Sequence, residues 1–471
     1  QNVAFEAVDL KTGRYKVVNR FYFTNLRKYD VNYELRANGS VAKRGKVALD
    51  VSPQATAEFV IPVTVTVGKP GVEYFVHFSV VTRQAEPLIP IGHEIAQEQF
   101  RLPLETEKDS YEASGKALGW KAENGKVVVS SSNVYFELDK ATGMVTSYKV
   151  NGTEFFDKAF GVQPNFWRAP NDNDYGNSNP KRLQIWKESS RDFKVSDTAV
   201  REEGETVLMS VTYDLPAGNQ YLITYRIYRD GVVNVNVKFT QTDREAEKTE
   251  VLEDTNLATF TPGKKVKKKD VLEVPRIGVR FRIPHVMNRV EYFGRGPVEN
   301  YVDRNAGSMV GRYKTSVEEM YVNYVRPQEN GHRTDTRWVS FTNTAGRGLL
   351  VLAEKTIGFN ALRNTVEDFD SEESSHPYQW RNRSSKEVAG KNEAEAKNVL
   401  RRMTHVNDIT PRDFVEVCID MKQQGVAGYD SWGAKVQPGY TIPASRDYVW
   451  GFTLIPIKNV GDVNKSLRYT Y

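Results

Sequence analysis

Period-two alternation of apolar and polar residues runs through this chain, and no long amphipathic helical pattern competes with it. The segment YLITYRIYRDGVVNVNVKF, Tyr221–Phe239, reads as a hairpin closing at Asp230-Gly231. A chain with so many strands and no helical layer to cover a sheet face must pack sheet on sheet. The expectation is an all-β protein, and no repeat of roughly 20–50 residues argues for a propeller.

At 471 residues the chain exceeds one small domain. YKVVNRFYFTNL, VNYELRANGSVAKRGKV, AEFVIPVTVTVG and VEYFVHFSVVT are four alternating runs separated by turn signals such as Asn38-Gly39, which suits an immunoglobulin-like sandwich over residues 1–103. Residues 104–126 are polar, interrupt the alternation and read as a linker, with Trp120 docked on a neighbour. Strands resume over 127–471, as two large antiparallel sheets packed face to face.

Against 65 basic residues stand 60 acidic ones, a net of +5 spread widely, which calls for neither nucleic acid nor a membrane surface. One cysteine, Cys418 in FVEVCIDM, excludes an internal disulfide and reads as a buried strand residue. No apolar run reaches the length of a membrane span, and QNVAFEAVDL has no signal-peptide pattern, so a soluble chain is expected, cytoplasmic or periplasmic. The runs Lys264–Asp270 and SSKEVAGKNEAEAKNVL read as solvated surface.

The familiar catalytic constellations are missing from the sequence. His77, His93, His285, His332, His376 and His405 occur singly, without metal-ligand spacing. GRGP, Gly294–Pro297, lacks what a phosphate loop needs, and there is no GxSxG nucleophile elbow. A retaining glycosidase pair needs carboxylates about 5–5.5 Å apart, which spacing along a chain of strands cannot identify. Three blocks remain in which arginines, carboxylates and amides crowd around Gly and Pro: Asn165–Arg182, Val290–Tyr313 and Tyr324–Trp338. In them Arg168, Asp172, Asp174, Arg295, Glu299, Asn300, Arg326, Glu329 and Asn330 read as a polar network fixing loops at a sandwich rim, with sugar recognition as the other reading. In GYDSWG, Gly428–Gly433, the glycines place Trp432 on a loop, either as a lid on the core or as a ligand platform.

NFWRAPNDND, YFGRGPVENYVDR, YVRPQENGHRTDTRW and GYDSWG, in this order, resemble the C-terminal domain of the large bacterial β-galactosidases of glycoside hydrolase family 2. The start, QNVAFEAVDLKTGRYKVVNRFYFTNL, resembles the immunoglobulin-like domain that precedes it. The resemblance implies an immunoglobulin-like β-sandwich followed by a large antiparallel supersandwich resembling galactose mutarotase. It also implies partners, a β-galactoside substrate and a catalytic TIM barrel of the same polypeptide, and leaves a homo-oligomer open. The two barrel glutamates are not matched here, since Asn392-Glu393 lies in a surface-like run, so the chain alone is expected not to hydrolyse a glycoside. Magnesium and sodium are implied for the intact enzyme, held mainly by the barrel, and no cofactor ligand transfers to this chain. Trp432 matches a tryptophan that stacks on the leaving-group sugar, and Gly176, Asn177, Ser178 and Asn179 match a pocket-rim loop that shifts between open and closed positions. The tail after Trp450 extends past the best-known members, without an assigned role. Two alternatives stand: a self-contained carbohydrate-binding module, and an aldose 1-epimerase, which needs a histidine acid and a glutamate base in one pocket.

Overall fold

The computed structural model describes residues 1–62, 67–104, 106–241, 252–253, 265–266, 273–370, 405–430 and 433–471. Lys264, the Lys267–Asp270 part of the lysine run, His376, Asn392-Glu393 and Trp432 lie outside the described residues. The chain divides into two compact units.

The first unit comprises Gln1–Tyr111, Met309–Tyr313 and Gly461–Tyr471. It is a sandwich of a three-stranded sheet, Val3–Asp9, Arg14–Asn19 and Thr56–Val60, and a four-stranded one in the order Ser40–Val47, Tyr29–Ala37, Tyr74–Thr82, Glu94–Arg101. Alternation decides which side chains enter: Tyr29, Val31, Tyr33 and Leu35 are buried while the residues between them are not. Phe5 of one sheet stacks on Phe78 of the other at 4.7 Å between centroids, and Tyr15 meets Phe78 edge-on at 4.9 Å. Each such ring removed from water contributes about 1.5–3 kcal/mol. The last residues have a structural place, because Tyr469–Thr470 pairs in parallel with Asp109–Ser110 of the same unit.

The second unit, Glu112–Ser308 with Lys314–Val460, is built on two antiparallel sheets. The smaller runs Thr153–Glu154, Val145–Val150, Val134–Asp139, Lys126–Ser130, Gly119–Glu123. Its edge strand thus falls inside the stretch read as a linker. Asn124 and Gly125, both at positive φ (52° and 76°), make the tight turn that folds Gly119–Glu123 back on Lys126–Ser130. Trp120 lies on that edge and is 39% exposed, not docked as expected.

The larger sheet runs Gln163–Asn165, Arg276–Pro284, Phe414–Gln423, Gly348–Leu362, Tyr448–Ile457, Val233–Thr240, Gln220–Ile227, Thr206–Asp214, Lys194–Glu203. The expected hairpin around Asp230-Gly231 pairs Gln220–Ile227 with Val233–Thr240. Gly348–Leu362 is long enough to change partner: its first part pairs with Tyr448–Ile457, its last with Phe414–Gln423. Phe136 against Tyr225, at 5.5 Å, and the Tyr213 hydroxyl donating to the Gly143 carbonyl at 2.7 Å join the smaller sheet to the larger. Cys418 is buried in its strand. Because Arg276–Pro284 and Phe414–Gln423 are antiparallel, the start of one and the end of the other reach the same end of the sheet. The loops there carry the site.

Candidate functional site

The block NFWRAPNDND leaves the strand Gln163–Asn165 and enters the short helix Asp172–Gly176. Asn171 caps that helix by accepting from the Asp174 N–H, and Asp174 accepts in return from the Asn171 N–H, a capping box legible in four residues. Arg168, 1% exposed, donates to both Asp174 oxygens at 2.9 and 3.2 Å and to the carbonyls of Gln424 and Gly425 at 2.8 and 2.9 Å. A two-point ion pair with two further donors given to carbonyls is the kind of arrangement in which a buried guanidinium is tolerated.

Those two carbonyls open the segment that leads into GYDSWG. Asp303 accepts from the N–H groups of Val426 and Ala427 at 3.0 and 2.9 Å, and Asn173 donates to the Val426 carbonyl at 2.9 Å. At the far end Gly433, at φ +88°, lies against Gly176, so that a β-carbon on Gly433 would stand 2.3 Å from the Gly176 carbonyl oxygen. The described residues before Trp432 are therefore hydrogen-bonded to the Asp172–Gly176 helix or to its supports, and Gly433 after it packs against Gly176. Asn177, Ser178 and Asn179 follow as buried residues, and Asn179 donates to Asp174 at 2.8 Å.

The second and third blocks meet beside this. Glu299 accepts from Arg304 at 2.7 Å, from the Gly331 N–H at 2.8 Å and from the Tyr324 hydroxyl. Asn300 accepts from the Thr334 N–H and donates to the Arg295 carbonyl, while Arg295 donates to Asp335 and to the Ser308 carbonyl. Arg326 pairs with Asp172 at 3.2 Å and covers the Tyr175 ring at 3.9 Å. Asn330 accepts from the Val322 N–H at 3.1 Å. Eight of the nine network residues are thus engaged within the protein, and Glu329 is the ninth.

Glu329 leads to residues that the sequence reading missed. It accepts from Arg276 at 3.0 Å, Gln423 at 3.0 Å and Asn360 at 3.3 Å. Arg276 also lies 3.1 Å from Asp420, which in turn is 3.8 Å from His332, and all three are at most 1% exposed. Asp420 fits because its neighbours across the sheet on both sides are glycines, Gly278 and Gly358. A β-carbon on Gly278 would lie 2.1 Å from Asp420, and one on Gly358 would lie 2.6 Å from the His332 ring. Burial raises the Asp420 carboxyl to about 7, against the pull of Arg276 and with the help of nearby Glu329. Burial also drives His332 well below its usual value, reinforced by Arg276, Arg333 and Arg168. A glycine opposite a polar residue on paired strands is the signal that could have pointed here, but strand pairing must be known first.

His332 lies under Tyr301, with the rings stacked at 5.5 Å, and it and Glu329 are buried. Among the described residues no group of three or more His, Cys, Asp or Glu is placed to hold a metal ion. No described helix is long and apolar enough to cross a membrane.

The geometry is that of a rigid polar scaffold holding two loops together, and the comparisons with known proteins agree with the motifs that form it. Residues 130–454 match the family model described as β-galactosidase small chain, and residues 15–103 match that of β-galactosidase domain 4. A β-galactosidase from Priestia megaterium is 30% identical over 97% of this chain, and one from Streptococcus thermophilus is 27% identical over 96%. The chain spans 39% and 38% of the lengths of those two relatives. Among solved structures, a galactose mutarotase-like protein from Lactobacillus casei aligns with 71% of this chain and all of its own, at 10% identity and a TM-score of 0.32. With one family model spanning most of the second unit and a second covering most of the first, the chain belongs to the β-galactosidase family.

Proposed function

We propose that this chain is the non-catalytic C-terminal part of a β-galactosidase, and that its second unit walls the active site and presents Trp432 to the aglycone sugar. The observation that carries this reading is the support of the described residues on either side of Trp432. Arg168, Asp303 and Asn173 hold those before it and Gly176 abuts Gly433 after it. A side chain that must meet a sugar face within a few tenths of an ångström needs a support of this kind, because a loose loop would lose the orientation on which stacking depends. An indole suits the task, since the C–H face of a pyranose is apolar and the ring face is electron-rich.

The intact enzyme would carry out retaining hydrolysis of terminal β-D-galactosides with two glutamates from a TIM barrel on the same polypeptide. The test is Trp432→Ala in a polypeptide containing that barrel. The expected outcome is weaker transfer to sugar acceptors, with galactosyl-enzyme formation from a nitrophenyl galactoside much less affected. Equal loss in both steps, or in neither, would count against an aglycone role. The 471-residue chain alone is expected to release no nitrophenol, and turnover by it would overturn the non-catalytic assignment.

A further inference from the structure

Within the second unit, the loop Val298–Ser308 and Tyr440 enclose an open cleft of about 590 Å³, within the range of roughly 300–1,000 Å³ usual for small-molecule sites. Its polar lining is already committed. Both Asp303 oxygens accept backbone N–H groups, and Glu299 accepts from Arg304, Tyr324 and the Gly331 N–H. Asn305 is fixed through its amide to Thr334 and through its carbonyl to Arg295.

Among the described lining residues two carboxylates stand against one guanidinium, an excess of negative charge that disfavours a phosphate or a carboxylate. The carboxylates are spent on protein donors, which disfavours a metal ion. What remains for a ligand is the outer part of Arg304, whose side chain is 53% exposed, the Asn305 amide oxygen, and two apolar surfaces, Val298 at 64% and Tyr440 at 38% exposure. An aromatic face beside fixed donors and acceptors, with no net cationic charge, matches a neutral polyhydroxyl ring that has one apolar face and a rim of hydroxyls.

We propose that this cleft is a second saccharide-binding site, one that does not use Trp432, taking a short neutral sugar with its apolar face on Tyr440 and Val298 and its hydroxyls on Arg304 and Asn305. The class of ligand rests on the lining alone, and only lactose as the probe rests on the family. Its rigidity is borrowed from the same supports as the Trp432 segment: the Tyr440 carbonyl accepts from the Gly425 N–H at 3.0 Å, and Asp303 holds the two residues that follow.

The test is ligand-observed NMR titration of the 471-residue chain with lactose. Saturable binding is expected, weakened at least tenfold by Tyr440→Ala and by Ala306→Trp, which fills the cleft from an exposed position without removing any group, and changed less than twofold by Trp432→Ala. Absence of saturable binding, or binding indifferent to Ala306→Trp, overturns the site. Binding that depends on Trp432 as strongly as on Ala306 overturns its independence of Trp432. Because the readout is binding by this chain, a failure of the aglycone role in the intact enzyme leaves the result unaffected.

Discussion

The carbonyl oxygen of Gly176 occupies the space that a side chain on Gly433 would need. The distance from it to a β-carbon built on Gly433 is 2.3 Å, and Gly433 sits at φ +88°. Two segments far apart in sequence are thereby in backbone-to-backbone contact, which any side chain at position 433 would separate.

Gly433→Ala meets both that contact and an unfavourable backbone conformation, so a loss of about 1–3 kcal/mol in urea unfolding is expected. Gly176→Ala should cost less. Its β-carbon would lie 3.2 Å from the Gly433 α-carbon, a distance that a small shift relieves. Equal effects of the two substitutions would show that the contact does not govern the pairing of the segments.

Arg168→Ala strips the buried Asp174 of its ion-pair partner and leaves two carbonyls without donors. Removing one member of a buried pair costs about 3–5 kcal/mol. A double-mutant cycle with Asp174→Asn should return a coupling well above that of an exposed pair, whereas near-additivity would mean that the capping role of Asp174 dominates.

Asp303→Ala frees the N–H groups of Val426 and Ala427. Hydrogen exchange at these two amides is expected to quicken much more than at Ile419 in the strand before them, because the opening is local. Uniform acceleration would instead indicate a global loss of stability.

Asp420 and His332 give stability opposite dependences on pH. The carboxyl of Asp420 rises on folding from its ordinary 3.8 to about 7, so the native state binds the extra proton, and this stabilisation is complete below about 3.8 and is lost as the pH rises through 7. His332 is held below its ordinary 6.5, so its contribution is present above that pH and is lost on acidification. Relative to the wild type, the deficit of Asp420→Asn should shrink as the pH rises from 4 to 7, and that of His332→Gln should shrink as the pH falls below 6.5. Urea midpoints across this range measure both, and parallel slopes for the two variants would refute the assignment.

How much of this was legible in advance differs from residue to residue. Asn171 and Asp174 form a capping box across one helical turn, and the crowding of charges in that block was enough to place Arg168 and Asp174, though not Asn171, in a polar network. Gly119–Glu123 was legible in principle, since Asn124-Gly125 is a strong hairpin signal, but the exposed, polar strand it closes has no buried face to give it alternation. Arg276, Asp420 and Asn360 stood in runs that read only as strand. Their side chains share one buried cluster because of sheet order, with Gly278 and Gly358 on the strands either side of Asp420.

The amino-acid sequence by itself determined the all-β class, the sandwich near its start and the membership in a family, because each depends on alternation, turn chemistry or an ordered set of motifs. Only the tertiary structure decided that Arg168 donates to the Gln424 and Gly425 carbonyls, that Asp303 holds Val426 and Ala427, and that Gly433 abuts Gly176. The reason is physical. A hydrogen bond or a close backbone contact is set by distances of a few tenths of an ångström, and between residues on separate strands those distances follow from register and sheet order, which no local stretch of the chain contains.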